Sequence, residues 1–260
     1  QRQMCIRDRD SAMRIAEKLA RCANSDWEQS AVSIAFLGDS VTQGCFEMYC
    51  KENGNPETVF EPEHAYHRYV ARILSVLYPN VPLTIINAGR SGDNTQRGLE
   101  RLERDVLSHQ PDLAVVCFGL NDIVNGMVGL DLYLHNLESI FQKLQLSGIE
   151  SIFMTPNVMN TYISQQVTEP ALREIAQMTC TVQNSGVMDA YMSGAKALCT
   201  RNGVAVCDCY EKWKTLAKIG VDTTMLLANR IIVLGQSPSN IIFDVKIPNE
   251  KRTTRENRFE

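Results

Sequence analysis

The sequence predicts an α/β fold with three layers (α/β/α), built on a doubly wound, five-stranded parallel sheet. Along residues 31–230, short apolar runs alternate with longer amphipathic segments, and glycine-rich or polar turns follow several of the runs. Alternating strands and helices are typical of a parallel sheet that is covered by helices on both faces. A chain of 260 residues is long enough to bury a sizeable core in one such domain.

The elements follow from the hydrophobic periodicity. The predicted strands cover residues 32–37, 83–86, 113–118, 149–155 and 204–207. The predicted helices cover residues 11–23, 63–78, 95–108, 131–146, 187–201 and 210–219. Residues 45–62 are polar, with Gly54 and Pro56 among them, and are predicted to be a loop at the mouth of a substrate site.

Both ends of the chain differ from the central part. Residues 1–30 are predicted to be a polar N-terminal segment whose helix lies outside the domain. Residues 1–10 are expected to be artefactual, because residues 3–8 resemble the translation of a transposon end used in sequencing libraries. The domain is expected to cover residues 31–230. The alternation is lost in residues 231–260, for which we expect a frame-shifted or disordered tail.

Composition excludes several classes of function. A net charge of −4 without a long basic run disfavours nucleic acid or an anionic membrane surface as a partner. No apolar run reaches the roughly 18 residues that a membrane helix needs. The nine cysteines lack a Cys-x-x-Cys pair, and with no visible leader segment they predict a cytoplasmic protein. Cys207 and Cys209 are interpreted as ordinary strand cysteines, and we expect neither metal nor cofactor.

One serine stands at the end of the first predicted strand. Gly38, Asp39 and Ser40 follow the apolar run, and Gly44 comes shortly afterwards. Glycines on either side of Ser40 allow the backbone to turn sharply. Ligands of open α/β sheets bind beyond the carboxyl ends of the strands, so Ser40 is a candidate nucleophile. By itself the motif would also fit a serine at the start of a helix.

Two later segments occupy the same position in the predicted sheet. Residues 87–93, which contain Gly92, follow the second strand, and residues 119–122 (Gly-Leu-Asn-Asp) follow the third. Together with Gly38-Asp39-Ser40, these segments resemble the first three motif blocks of the SGNH (GDSL-type) hydrolase family. The resemblance covers roughly residues 32–228 and implies a flavodoxin-like strand order and the cleavage of acyl esters.

The resemblance also implies roles for individual residues. Ser40 would be the nucleophile, and the oxyanion hole would consist of the Ser40 and Gly92 backbone N–H groups and the Asn121 amide. Asp39 and Asp122 are expected to brace their loops by hydrogen bonds. The implied partner is a small-molecule or carbohydrate ester; the oligomeric state is open.

The catalytic base cannot be assigned from the sequence. The family's fourth block, Asp-x-x-His, is absent, and Asp222 has no histidine three residues later. All four histidines come before the fourth strand; His64, His67 and His135 are interpreted as surface or hydrogen-bonded residues and His109 as a helix-end residue. Either the reading frame is lost near Arg230, or the chain is a catalytically inactive binding protein for acylated carbohydrate. We expect the first, and therefore an impaired esterase.

Overall fold

Five parallel strands form the central sheet of the protein, whose computed structural model describes residues 4–24 and 30–228. In chain order the strands are β1 (Val32–Gly38), β2 (Cys45–Cys50), β3 (Pro56–Phe60), β4 (Leu83–Gly89), β5 (Leu113–Cys117), β6 (Glu150–Met154) and β7 (Ala205–Cys207). The sheet has the spatial order β4-β1-β5-β6-β7, while β2 and β3 form a separate antiparallel hairpin. Counting only the parallel strands, this is the order 2-1-3-4-5, which confirms the predicted fold class.

Helices follow the strands and cover the sheet. They are α1 (Met4–Ala23), α2 (Ser40–Gln43), α3 (Tyr66–Leu77), α4 (Thr95–Asp105), α5 (Leu130–Leu146), α6 (Pro170–Asn184), α7 (Val187–Asn202), α8 (Cys209–Lys218) and α9 (Thr223–Ala228). Short 3₁₀ helices cover Pro62–His64, Leu107–His109 and Asp122–Gly129. The predicted helices are present. The first begins seven residues before its predicted start, and the other ends differ by up to three residues.

The two faces of the sheet bury separate hydrophobic clusters. In β1, Ala35 and Leu37 pack with buried residues of α4, α5 and α7, while Ile34 and Phe36 pack with residues of α1 and α3. Successive side chains of a strand point to opposite faces, so the consecutive apolar residues of β1 supply both clusters. The sheet is therefore the middle of three layers.

The sequence analysis missed the hairpin and one long helix. Residues 45–62, predicted to be a loop, contain β2 and β3, and no element was assigned to residues 156–186, which contain α6. Each side chain described in β2 is partly exposed, so the clean alternation that reveals a half-buried strand is missing. In α6 only Leu172 and Ala176 are fully buried, which gives too narrow an apolar stripe to detect.

The N-terminal helix packs on the domain. Leu19 and Cys22 of α1 are buried in the cluster that contains Phe36, and Lys18 donates to Asp112 Oδ1 at 2.6 Å. The helix begins at Met4, so part of the segment expected to be artefactual is helical. The side chains of residues 1–13 and all of residues 229–260, including the expected tail, lie outside the described part.

Candidate active site

The three motif segments leave three neighbouring strands at the same edge of the sheet. Strand β1 lies between β4 and β5, and Gly38 is in register with both Gly89 and Cys117. Ser40 comes two residues after the end of β1, and Gly92 and Asn121 follow the ends of β4 and β5 within a few residues. The strand order thus gathers residues that are up to about 80 positions apart in sequence at one edge.

A tight turn presents Ser40 as the first residue of α2. Asp39 caps this short helix, because its Oδ1 accepts a hydrogen bond from the Val41 N–H at 3.0 Å. Glycine is required at position 38, since a Cβ there would lie 2.1 Å from Thr42 Oγ1 and 2.7 Å from the Cys117 carbonyl oxygen. The Ser40 hydroxyl makes no hydrogen bond to any other residue that the structure describes.

Arg101, which the sequence analysis did not single out, connects the loops of the site. Its buried guanidinium donates to Asp93 Oδ2 at 2.6 Å, to the Ala88 carbonyl at 2.7 Å and to the Gly38 carbonyl at 2.9 Å. A further hydrogen bond to Asp105 Oδ2 measures 3.1 Å. The planar guanidinium holds the ends of β1 and β4 and the loop after β4 in one arrangement. On a helix, an arginine is ordinarily a solvated residue, so only its burial reveals this role.

Asn121 and Asp122 fix the third segment to the second. The Asn121 side-chain amide donates to the Asp93 carbonyl oxygen at 2.8 Å. Asp122 Oδ1 accepts from the Thr95 N–H at 3.0 Å and from Thr95 Oγ1 at 2.5 Å. The hydrogen bonds of Asp39 and Asp122 are of the bracing kind that we expected of both carboxylates. One amide hydrogen of Asn121 is not used by the bond to Asp93.

Gly92 adopts a conformation that other residues rarely adopt. Its φ angle is +76°, whereas a Cβ built at this position would have no heavy atom within 4 Å. The backbone conformation, and not close packing within the protein, is therefore what favours glycine here. The open space above Gly92 leaves room for a substrate group.

Asp39 is electrostatically unusual. Burial is the largest cause that raises its pKa to about 7, and the neighbouring carboxylates of Asp122 and Asp93 add to the shift. Its second oxygen, Oδ2, has no hydrogen-bond partner among the described residues. Burial also raises the pKa of Asp122. The proton that Asp39 holds in the folded state must therefore contribute to the pH dependence of stability.

Asp39→Asn is expected to flatten the pH dependence of stability between about pH 4 and pH 7. The pKa of Asp39 is raised from 3.8 to about 7, so folding binds a proton in this range and stability falls as the pH rises. Asp39→Asn is expected to abolish a decrease in the free energy of unfolding of at most about 4 kcal/mol, since one pKa unit corresponds to about 1.4 kcal/mol. Urea unfolding at a series of pH values measures the free energy of unfolding. Asp131→Asn, at an exposed position, is the control, and equal slopes in both variants would contradict the assignment.

A cavity of about 440 Å³ adjoins the candidate nucleophile. Ser40 and Asn121 lie in its wall, and Gly92 is not among the lining residues. The hairpin contributes Cys45, Phe46 and Met48, and the opposite wall comes from α6 and the loop that precedes it. Thr224 of α9 also lines the cavity, which brings the last described helix to the site. The cavity thus joins both candidate reactive side chains to the two elements that the sequence analysis missed.

No histidine that the structure describes lies among the lining residues of this cavity. His135 is exposed on α5, as predicted, whereas His67 is buried against Phe36 with ring centroids 5.6 Å apart, so the surface interpretation was wrong for His67. Burial is also the main cause that lowers the pKa of His67. His64 pairs with Glu61 at 3.1 Å, and its ring is 6.4 Å from that of the cavity residue Phe46.

A family model decides the classification. Residues 36–229 match the GDSL-like lipase/acylhydrolase family, and this range contains all three motif segments. The chain belongs to this family. The resemblance inferred from Ser40, Gly92 and Asn121 is therefore confirmed, and the GDSL-like chain is an ester hydrolase by class.

A curated relative and several solved structures are similar to this chain. An acetylxylan esterase from Geobacillus stearothermophilus is 30% identical in an alignment of 160 residues that covers 57% of this chain and 68% of the relative. The crystal structure of Axe2, an acetylxylan esterase from the same organism, aligns with a TM-score of 0.56 at 21% identity over 78% of this chain and 86% of its own. A two-domain esterase active on acetylated mannans aligns with a TM-score of 0.54 at 20% identity, over 81% of this chain and 45% of its own.

Neither a membrane-spanning helix nor a metal-binding cluster is present among the described residues. None of the described helices is long and apolar enough to cross a membrane. In the same part of the chain, no group of three or more histidine, cysteine, aspartate or glutamate side chains could hold a metal ion. Cys207 and Cys209 are free thiols whose Sγ atoms are 3.8 Å apart.

Proposed function

We propose that this chain is a serine esterase that cleaves small or carbohydrate-linked acyl esters through an acyl-serine intermediate on Ser40. The observation that carries the proposal is the shared cavity wall, in which Ser40 and Asn121 line the same space. The carbohydrate part of the substrate is suggested by the relative, which is an acetylxylan esterase.

The proposed reaction has two steps. Ser40 Oγ attacks the ester carbonyl carbon, its proton passes to a base, and the tetrahedral intermediate expels the alcohol, which takes up a proton. Water then attacks the acyl-serine, which releases the acid and restores the hydroxyl. The oxyanion of each intermediate would accept hydrogen bonds from the Ser40 and Gly92 N–H groups and from the free hydrogen of the Asn121 amide. Asp39 and Asp122 would hold these donors in place.

The proposed reaction requires a general base, and the sequence contains no histidine at the position where the family has one. Because no histidine follows His135 in the sequence, the family's usual base is absent, and we infer that turnover is impaired. The same absence favours a second candidate function, a catalytically inactive protein that binds acylated carbohydrate. The two candidate functions differ in whether Ser40 forms a covalent bond with an ester or a reactive probe.

A fluorophosphonate probe is expected to label Ser40 covalently, though slowly. Serine hydroxyls react with such probes only when the site activates them and stabilises the oxyanion. Intact-mass measurement and peptide mapping detect the adduct, and Ser40→Ala is expected to abolish it. Ser164→Ala, a buried serine of the same cavity, is the matched control and should leave labelling unchanged. Labelling that survives Ser40→Ala, or none at all in the wild-type chain, would contradict the esterase proposal.

A further inference from the structure

The shape and chemistry of the cavity indicate which part of an ester it holds. At about 440 Å³, it falls in the range of roughly 300–1,000 Å³ that is usual for sites of drug-sized ligands. An acetyl group has two carbon atoms and would leave most of this space empty. Burying apolar surface is favourable, so a cavity of this size gains from a longer apolar group.

Most of the wall that faces away from the nucleophile is hydrocarbon or thioether. The apolar lining residues are Phe46, Met48, Leu120, Ile123, Val124, Val158, Met159, Val167, Ile175, Ala176, Met178 and Val182. Three of them at the rim remain exposed in the free protein: Val124 is 62% and Met178 47% exposed, and Met159 is partly exposed. Methionine side chains adapt their shape to apolar ligands of different outline.

Several polar side chains of the same wall are already hydrogen-bonded within the protein. The Asn160 amide donates to the carbonyls of Tyr162 and Ala176 at 3.0 and 2.8 Å, and its oxygen accepts from Thr179 Oγ1 at 2.5 Å. Asn157 donates to the Val158 carbonyl at 2.7 Å. A sugar ring needs hydrogen-bond partners from its site, and groups already bonded to the backbone supply few of them.

Other polar groups at the edge are engaged in the same way. The Tyr162 hydroxyl donates to Asp222 Oδ2 at 2.6 Å, and Thr224 Oγ1 accepts from the Thr161 N–H at 2.9 Å. The Ser40 hydroxyl, in contrast, makes no hydrogen bond to another described residue, and the Asn121 amide retains one free hydrogen. The polar, reactive end of the cavity is therefore at Ser40, and its remaining wall presents hydrocarbon.

We propose that the cavity between the β2–β3 hairpin and α6 is an acyl pocket for straight apolar chains of about six to eight carbons, longer than acetyl. The inference rests on the proposed function, since it places the ester carbonyl at Ser40, the chain in the cavity and the alcohol outside. The hairpin and α6 set the chain-length preference because both contribute apolar side chains to the cavity wall.

Binding of alkanoates tests the pocket without requiring turnover. Isothermal titration of the wild-type chain with acetate, butyrate, hexanoate and octanoate is expected to give an affinity that rises about fourfold per added methylene, the factor that corresponds to about 0.8 kcal/mol per buried CH₂. Octanoate affinity no greater than that of acetate would overturn the inference.

Substitutions in α6 locate the binding site. Ile175→Trp places a larger side chain in the cavity and is expected to weaken octanoate binding at least tenfold. Gln177→Trp, on the exposed side of the same helix, is the matched control and should bind as the wild-type chain does. Ile175→Ala enlarges the cavity and is expected to favour decanoate over octanoate, which tests the pocket even if Ile175→Trp unfolds. Equal effects of Ile175→Trp and Gln177→Trp would overturn the assignment.

Covalent labelling separates this inference from the proposed function. A fluorophosphonate with a short alkyl group reports on Ser40 alone. Labelling of Ser40 without any preference for longer alkanoates would overturn the acyl pocket and leave the esterase in place. A clear preference for longer alkanoates without labelling of Ser40 would overturn the esterase and support an apolar ligand site at the same position.

Discussion

Replacing Arg101 with methionine is expected to lower the free energy of unfolding by about 3–5 kcal/mol, the usual cost of removing one partner of a buried ion pair. The side chains of Arg101 and Asp93 are only 7% and 4% exposed, so the Asp93 carboxylate would remain buried without its partner. The carbonyls of Gly38 and Ala88 would lose their charged donor as well. Chemical denaturation followed by circular dichroism measures the change.

Arg104 provides the matched control for this substitution. It lies three residues later on α4, pairs with Asp105 and has a side chain that is 70% exposed, so Arg104→Met is expected to cost less than about 1 kcal/mol. Adding Asp93→Asn to Arg101→Met removes the orphaned charge and should restore part of the lost stability. Similar losses for Arg101→Met and Arg104→Met would show that the connection between the loops contributes little.

A chain that regains a histidine after Arg230, in the frame that restores an Asp-x-x-His block, is expected to hydrolyse p-nitrophenyl acetate about 10²–10⁴-fold faster than the chain described here, the usual contribution of a positioned general base. The structural reason is the position of α9, whose Thr224 lines the same cavity as Ser40. Steady-state kinetics on both chains measures the difference.

Two variants show whether the new histidine acts through the nucleophile. Ser40→Ala in the restored chain is expected to remove the gain entirely, because nucleophile and base act as a unit. Full activity in the chain without the restored block would mean that a residue already present is the base. His64 is then the first to test by His64→Gln, since its ring is close to Phe46 at the cavity wall.

Much of the fold could be predicted because it depends on local patterns. The runs that became β1, β4 and β5 are predominantly apolar, and each is followed by small or polar residues. Since parallel strands present their carboxyl ends at one edge, the neighbourhood of Ser40, Gly92 and Asn121 followed from strand assignment alone. The roles of these three residues stay predictions until the labelling and kinetic experiments are done.

The sequence could not predict which polar side chains are buried. The guanidinium of Arg101 reaches the Gly38 carbonyl across 63 positions of sequence, and His67 lies against Phe36 in the core. In the hydrophobic pattern of a helix, a polar residue is read as exposed. The pattern therefore could not show that Arg101 and His67 are buried. The raised pKa of Asp39 likewise depends on the desolvation that β1 and its neighbours produce together.

The sequence by itself predicted the fold class and the sheet edge at which Ser40, Gly92 and Asn121 lie, because these depend on periodicity and on the residues that follow strands. The order of the strands was implied by the family resemblance. Only the tertiary structure showed that a cavity exists beside Ser40 and which residues line it. The β2–β3 hairpin and α6 bury too little of their own surface to give a clear pattern, and each is defined mainly by what it packs against. The placement of residues more than 100 positions apart in one cavity wall, such as Phe46 and Ile175, follows from packing and not from local propensity.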